Sequence, residues 1–148
     1  KLKIRLLIIG NGPNEKLLKD FIKLNKLNKI VMIKKNIKNP FPYILRSNLF
    51  ILSSSFEGLP NVLLEAIVLN KFIISSNCPT GPSEILSNGK GGILFKVNDH
   101  HDLTTKIIFF YKNKVPLKKK IFFAKKNLKR FDMEKNINDY FKFIKRYY

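Results

Sequence analysis

Short apolar runs alternate with helix-like segments along most of the chain, and this alternation restricts the folds that it can adopt. The run at residues 4–9 ends in a turn at residues 10–13, after which apolar residues recur at helical spacing. Further strands are predicted at 30–33, 49–52, 72–75 and 93–95, and further helices at 60–69, 83–86, 100–112, 116–130 and 134–147. Strands that alternate with helices pair in parallel through right-handed crossovers. The sequence therefore predicts an α/β fold, with a parallel sheet flanked by helices and a helical C-terminal tail.

The segment SSSFEGLPNVLLEA, at residues 53–66, holds the residues best suited to chemistry. It begins where the third strand ends, and ligands of open α/β sheets bind at the carboxyl ends of the strands. Glu65 is the only charged residue between positions 58 and 70, and its neighbours are apolar on every side, which predicts a buried helix. A buried carboxylate needs hydrogen-bond partners. Because helical side chains lean toward the helix N-terminus, we expect Glu65 to point toward the loop that carries Glu57.

Two carboxylates beside a helix N-terminus suit a ligand that carries both hydroxyls and phosphates. Carboxylates accept hydrogen bonds from hydroxyls, while the unpaired N–H groups and the dipole of the helix end favour an anion. A sugar nucleotide has both groups. The alternative is that Glu65 pairs with a lysine of the next helix and that Glu57 is a solvated loop acid. The residues alone leave these two interpretations open.

The net charge of +19 lies in the two flanks of the chain. Residues 1–40 carry 11 Lys/Arg and 2 Asp/Glu, residues 41–110 carry 5 of each, and residues 111–148 carry 13 and 3. No nucleic-acid partner is expected, because proteins that read nucleic acid interleave basic residues with the reading motif, and the middle here is neutral. Lysine-rich helix faces in solvent and attraction to an anionic membrane surface remain as alternatives.

The spacing of the two glutamates resembles the paired-glutamate motif of the retaining family 4 glycosyltransferases. Seven residues separate Glu57 from Glu65 within EGLPNVLLEA, and four other segments occur in the order typical of that family: GNGP, NLFILSSS, NCPTGPSEIL and GKGGILF. Those enzymes have the GT-B fold, in which two Rossmann-like domains face each other across a cleft. The resemblance covers roughly residues 4–110. It implies that residues 1–130 form the C-terminal, nucleotide-sugar-binding half of such a fold, and that 131–148 form a basic C-terminal helix.

The resemblance also implies roles for individual residues. Glu57 is similar to the glutamate of the catalytic site that binds the hydroxyls of the donor sugar, and Glu65 is similar to the glutamate that holds the ribose hydroxyls. The loop after the second strand matches the place where the family reads the nucleobase, with Lys35 and Ile37 as the candidate residues. The donor sugar and its phosphates would be received by Glu57 and by the backbone of Gly58, Leu59, Pro60, Asn61 and Val62.

Parts of the family's enzymes have no counterpart in the 148 residues. The family's donor domain opens with one more strand–helix unit, carrying an Arg and a Lys that hold the diphosphate, whereas the first run here matches the second strand. We therefore expect this chain to be part of a larger enzyme with an N-terminal acceptor domain, and to be inactive alone. No cofactor and no metal are expected, since the nucleotide-sugar is a substrate and GT-B enzymes generally work without a metal.

The implied reaction is transfer of a hexose or N-acetylhexosamine from a nucleotide-diphosphate sugar, with UDP-sugar favoured, to a hydroxyl of a glycan or lipid-linked acceptor. Such a reaction would serve bacterial polysaccharide or lipid-linked glycan synthesis. The alternatives are a non-catalytic sugar-nucleotide-binding module and a basic nucleic-acid-binding protein. A single cysteine, Cys78, and a first segment unlike a signal peptide favour the cytoplasm, with attachment to the inner face of the cell membrane as a further expectation.

Overall fold

The structure, a computed structural model, describes residues 3–147. The chain forms two compact units, Lys1–Pro42 and Tyr43–Tyr148. The first unit contains two parallel strands, β1 (Leu6–Ile9) and β2 (Val31–Lys34), joined by helix α1 (Glu15–Leu24). Leu6 lies opposite Val31, and Ile9 lies opposite Lys34. Helix α2 (Phe41–Arg46) begins at the end of this unit and continues into the second.

The second unit is built on three parallel strands in the order β3-β4-β5. Its strands are β3 (Phe50–Leu52), β4 (Ile73–Ser76) and β5 (Ile93–Phe95). Its helices are α3 (Asn61–Val68), α4 (Pro82–Ile85), α5 (His100–Lys112), α6 (Lys114–Asn127) and α7 (Met133–Ile144), with a 3₁₀ turn at Leu128–Phe131. The predicted α/β class, with a parallel sheet flanked by helices and a helical C-terminal region, is confirmed.

The central strand β4 separates two apolar clusters. All four of its residues are buried, which is the pattern of a strand covered on both faces. Ile73 packs in one cluster with residues of α3 and α4, and Ile74 packs in the other with Phe95 and Phe110. Because successive side chains of a strand point to opposite faces, the two clusters lie on the two sides of the sheet.

Helix α3 departs from the sequence prediction in its burial. A helix buried on every side was expected, but Val62 is 38% exposed and Val68 is 58% exposed. Leu63, Ala66 and Ile67 are the buried residues, and they lie on one face against the sheet. The expectation was wrong because α3 forms an outer layer, which packs through one stripe only even when its other residues are apolar.

The C-terminal region agrees with the predicted helices, with small shifts at their ends. Helix α6 begins two residues before the predicted start, so that Pro116 lies in its first turn, where a missing N–H costs little. Helix α7 has no buried residue. The predicted division into residues 1–130 and 131–148 stays a prediction.

Candidate functional site

The loop at residues 53–60, which joins β3 to α3, is held by side chains from the carboxyl ends of β4 and β5. The hydroxyl of Ser76, the last residue of β4, donates to the carbonyl of Ser54 at 2.6 Å. Thr80, in the loop after β4, donates its hydroxyl to the carbonyl of Glu57. On the β5 side, Ser55 donates to Asn98 Oδ1 at 3.0 Å. The glutamate-bearing loop is therefore fixed at the edge of the sheet where ligands of such folds bind.

Helix α3 begins beside this loop with backbone N–H groups that have no acceptor among the residues that the structure describes. Its N-cap is Pro60, which supplies no side-chain hydrogen bond, and the first amide to find a partner is that of Leu63, which donates to Pro60 O at 2.9 Å. Within residues 3–147, no hydrogen bond is made by the amides of Gly58, Leu59, Asn61 and Val62. Four unpaired donors next to the positive end of a helix dipole form an arrangement suited to an anion.

Glu65 lies in the second turn of α3 on the face opposite the core. It shares this face with Asn61 and Val62, which precede it by four and three residues and are exposed. Its side chain leans toward the start of the helix, as helical side chains do. The carboxylate is half-buried and makes no ion pair or hydrogen bond with any described residue.

The alternative interpretation of Glu65, an ion pair with a lysine of a neighbouring helix, does not agree with the structure. The lysine of α6 that reaches toward α3 is Lys125, and its ammonium donates to Asn70 Oδ1 at 3.0 Å. Glu57 is likewise half-buried, and its carboxylate has no partner among the described residues, although its backbone carbonyl accepts from Thr80. Both glutamates therefore keep their acceptor oxygens available for a ligand.

The nearest cations in the sequence serve other parts of the fold. No Lys or Arg occurs between Arg46 and Lys71. Lys71 precedes β4, at the amino edge of the sheet, and its ammonium donates to the carbonyls of Leu45 (2.6 Å) and Ser47 (3.1 Å) at the end of α2. Lys96, which the sequence analysis did not single out, follows β5 directly and so lies at the carboxyl edge of the sheet.

The predicted nucleobase loop belongs to the first unit and is tied to the turn at residues 10–13. Asn11 donates through Nδ2 to Asn36 Oδ1 at 2.8 Å and accepts from the Asn36 amide at 3.4 Å. The Lys35 ammonium pairs with a Glu15 carboxylate oxygen at 2.7 Å. Hydrogen bonds from Lys19 and Lys35 lower the pKa of Glu15 below its usual value. The Lys35 ammonium is therefore engaged within the first unit, and Ile37 is partly buried in the same loop.

No helix within residues 3–147 has the length and apolar character needed to cross a bilayer. In the same part of the chain, His, Cys, Asp and Glu side chains nowhere form a group of three that could hold a metal ion.

The family model for glycosyl transferases group 1 matches residues 1–130. Among curated proteins, the uncharacterized glycosyltransferase MJ1059 of Methanocaldococcus jannaschii is 45% identical over 83 residues, covering 55% of this chain and 20% of that protein. A second relative is the Campylobacter jejuni N-acetylgalactosamine-N,N'-diacetylbacillosaminyl-diphospho-undecaprenol 4-alpha-N-acetylgalactosaminyltransferase. It is 26% identical over 153 residues, covering 97% of this chain and 40% of that protein. The chain thus spans less than half the length of these relatives.

The fold also matches solved structures, among them a glycosyltransferase from Rickettsia africae ESF-5, with a TM-score of 0.82 at 22% sequence identity, covering 97% of this chain and 41% of that one. Anabaena Alr3699/HepE in complex with UDP-glucose superposes with a TM-score of 0.85 at 17% sequence identity, covering 99% of this chain and 42% of that one. At this identity the likeness concerns the fold alone. The architecture of the described residues is therefore that of one part of a glycosyltransferase of this fold.

Proposed function

The chain belongs to the glycosyl transferases group 1 family, and from this premise we propose that it binds the nucleotide-sugar donor of a glycosyl transfer reaction. The observation that carries the proposal is the start of α3. There, four amides lie beside a loop and a helix turn that hold two carboxylates, and neither the amides nor the carboxylates have a partner within residues 3–147. A ligand that fits this arrangement needs an anionic group and hydroxyls, and a nucleotide-diphosphate sugar has both.

The diphosphate is assigned to the backbone from Gly58 to Val62. Its oxygens would accept hydrogen bonds from the four amides, and its charge would lie at the positive end of α3. When the bond from the anomeric carbon to the diphosphate breaks, negative charge builds up on the leaving group. Donors that are already oriented stabilise such charge without reorganisation. This account needs no metal ion, so we propose that the reaction proceeds without one.

The two carboxylates are assigned to the two sugars of the donor. Glu57 would accept hydrogen bonds from hydroxyls of the transferred sugar and so belong to the catalytic site. Glu65, in the second turn of α3, would accept hydrogen bonds from the ribose hydroxyls. The Thr80 hydrogen bond and the Ser76 and Ser55 contacts hold the backbone that carries Glu57, which supports a positioned rather than a mobile carboxylate. Lys35 and Ile37 mark the loop proposed for the nucleobase.

The substrates are proposed from the relatives. The HepE structure is named as a complex with UDP-glucose, and the Campylobacter enzyme is named as an N-acetylgalactosaminyltransferase acting on a diphospho-undecaprenol-linked acceptor. We propose by analogy a UDP-sugar donor, with a hexose or N-acetylhexosamine transferred to a glycan or lipid-linked acceptor. Retention at the anomeric carbon and membership of family 4 belong to the same proposal.

The complete reaction also requires an acceptor site. The chain spans 11–40% of the curated relatives it matches, and in those proteins other residues are available to form that site. We propose that an acceptor domain outside these 148 residues supplies it, and that the whole enzyme works in the cytoplasm at the inner face of the cell membrane.

Calorimetric titration of the chain with UDP and with uridine tests the phosphate assignment. We expect UDP to bind at least about tenfold more tightly, since a charge-assisted hydrogen bond contributes roughly 1.5–3 kcal/mol. Glu65→Gln should weaken UDP binding by a similar factor while the protein remains folded. The matched control is Glu134→Gln, the same chemical change on the exposed α7 helix.

Two outcomes would contradict the proposal. Equal affinities for UDP and uridine would contradict the assignment of the diphosphate to the start of α3. A folded Glu65→Gln protein with unchanged affinity for UDP would contradict the assignment of the ribose to Glu65. Donor binding by the full-length protein without turnover on any acceptor would favour a non-catalytic sugar-nucleotide-binding module instead.

A further inference from the structure

Residues 111–130, which cover the end of α5 and all of α6, contain nine Lys/Arg and no Asp/Glu. Three of these cations are hydrogen-bonded to other segments of the second unit. Lys120 donates to the carbonyl of Gly89, Lys125 donates to Asn70 Oδ1, and Arg130 donates to Glu84 O and Ser87 Oγ. The other six are exposed and make no ion pair with a described residue: Lys112, Lys114, Lys118, Lys119, Lys126 and Lys129.

Helix α6 has two distinct faces. The inner face packs on the core through Leu117 and Ala124, with Ile121 partly buried between them. The outer face, one half-turn away, presents residues spaced three or four apart, which are neighbours on a helix surface. We call this set the α6 outer face, and it consists of Val115, Lys118, Lys119, Phe122 and Lys126.

Two large apolar side chains stand out among the lysines of the α6 outer face. Val115 is 76% exposed and Phe122 is 72% exposed. Next to them, at the corner between α5 and α6, Tyr111 is exposed and the Lys114 ammonium lies 4.9 Å from the centre of its ring. Isolated apolar side chains among cations do not form the continuous apolar patch of a protein–protein contact. They resemble the surface that a peripheral protein places in a lipid headgroup layer, where lysines meet anionic lipids and aromatic rings enter the acyl boundary.

Helix α7 carries a different kind of surface. Its exposed apolar residues Met133, Ile137, Tyr140 and Phe141 line one groove together with Phe131. The helix mixes charges of both signs, with Glu134 in its first turn and Lys142 in its last. Nothing in the structure shows what covers that groove. The charged residues of α6, in contrast, are all lysines, so its partner is expected to be negatively charged.

We propose that the α6 outer face docks on a bilayer that contains anionic lipids, with Phe122 and Val115 entering the headgroup layer. This adds a defined contact surface to the proposed function, which places the enzyme at a membrane, but the charge and exposure arguments stand without that function. The inner face of α6 packs, through Ala124, on the same apolar cluster as the buried face of α3. The α6 outer face therefore points away from that cluster, and docking through it would leave the start of α3 accessible.

Sedimentation with vesicles tests the proposal on the full 148-residue chain. Vesicles of phosphatidylcholine alone are compared with vesicles that contain 30% phosphatidylglycerol at 0.15 M salt. We expect binding to the anionic vesicles only, falling at 0.5 M salt because the charges are then screened. Lys118→Gln/Lys119→Gln/Lys126→Gln should lower the partition coefficient about a hundredfold, in line with the contribution of each surface lysine. Phe122→Ser should lower it several-fold without changing the charge.

The matched control removes three exposed lysines from the first unit, Lys16→Gln/Lys23→Gln/Lys29→Gln. It changes the net charge equally and should lower the partition coefficient less than threefold. Thermal unfolding and circular dichroism identify any variant that fails to fold, in which case Lys118→Gln alone, on the exposed side of the helix, replaces the triple variant. Equal losses in the two triple variants would overturn the proposal, since binding would then follow net charge alone. Tighter binding to a duplex oligonucleotide than to anionic vesicles at the same salt would overturn it in favour of nucleic acid.

Discussion

A β-carbon added to Gly81 would lie 2.1 Å from the carbonyl oxygen of Gly58, so the loop before α4 meets the glutamate-bearing loop through a position that only glycine fills. The same β-carbon would lie 2.5 Å from Pro60 Cδ. Gly81 also has a φ of 81°, in the left-handed region that favours glycine. Gly81 thus packs closely against the Gly58 carbonyl and the Pro60 ring, while the Thr80 hydrogen bond holds the adjacent carbonyl of Glu57.

Gly81→Ala should destabilise the protein by about 2–3 kcal/mol, because it combines a clash with backbone atoms and a strained φ. The matched control is Gly89→Ala, where φ is 84° but, apart from its chain neighbours, no described residue has an atom within 4 Å of the added carbon. There the cost should be only about 1 kcal/mol, from the strained φ alone. Urea unfolding measures both. If Gly81→Ala lowered the free energy of unfolding no more than Gly89→Ala does, the two loops would be able to separate at little cost.

Glu57→Gln should leave the affinity for UDP within about twofold and weaken the affinity for a UDP-sugar about tenfold, since only the sugar hydroxyls are assigned to this carboxylate. Glu65→Gln should weaken both ligands together. Calorimetry with UDP and with the UDP-sugar, on both variants, separates the two roles. A parallel loss of both ligands in Glu57→Gln would place the diphosphate or the ribose at that residue.

Acid should remove a contact that fixes the start of α5. Asp102 Oδ2 accepts from the Lys96 amide at 2.9 Å and Oδ1 lies 3.3 Å from the Lys106 ammonium, and these contacts lower the pKa of Asp102 below its usual 3.8. A depressed pKa in the folded state contributes stability above the unfolded value, and that stability is lost as the pH falls through the folded value. Asp102→Asn should therefore lower the melting temperature at pH 6, with the difference from the parent protein shrinking below about pH 4. Asp139→Asn, on exposed α7, is the control, and a difference that persists at pH 3 would contradict this account.

The 148-residue chain alone should bind donor without transferring the sugar. Transfer requires the acceptor hydroxyl to be aligned with the anomeric carbon, and alignment accounts for much of the barrier reduction in such reactions. The measurement is product formation from UDP-sugar with a panel of glycan and lipid-linked acceptors, with the full-length protein as the positive control. Robust turnover by the isolated chain would show that an acceptor site lies within these residues.

Amide hydrogen exchange should be faster in α7 than in the core at residues 49–75. Helix α7 has no buried residue, whereas all four residues of β4 are buried, and exchange by local opening is fastest where few apolar contacts must break. The measurement is exchange followed by mass spectrometry on a dilute monomer. Protection in α7 equal to that of β4 would mean that the helix is held within this chain more firmly than its exposure indicates.

The sequence was most informative where a local signal marks the start of an element. Strand β5 and helix α5 have their predicted bounds: Gly92 precedes the strand, and Asp99 caps the helix by accepting from the Asp102 amide at 2.8 Å. The start of α6 was misplaced because proline was taken to begin the helix, although the first turn accommodates it equally well. The exposure of Val62 and Val68 could not be read from an apolar segment, since burial depends on which layers pack against the helix.

Part of the candidate site could likewise be predicted from local sequence signals, and part could not. The two glutamates and the start of α3 follow from their spacing and from helix geometry. The side chains that hold the loop do not, because Ser76, Thr80 and Asn98 act on residues 22–43 positions away, and such contacts leave no local pattern. They could have been anticipated only from the rule that the carboxyl ends of neighbouring parallel strands share one edge of a sheet.

The proline at the N-cap of α3 leaves the first amides of the helix free of a competing side chain at that position. Ser, Thr, Asp or Asn at position 60 would stabilise the helix by about 1 kcal/mol, because its side-chain oxygen would accept from one of the first amides. The same oxygen would act as a tethered inhibitor, which any phosphate would have to displace before it could bind. Pro60 cannot fold back in this way, and its ring restrains the backbone at the entrance to the helix. The start of α3 is therefore less stable than a capped helix end would be, but no side chain at its N-cap competes with a phosphate for the first amides.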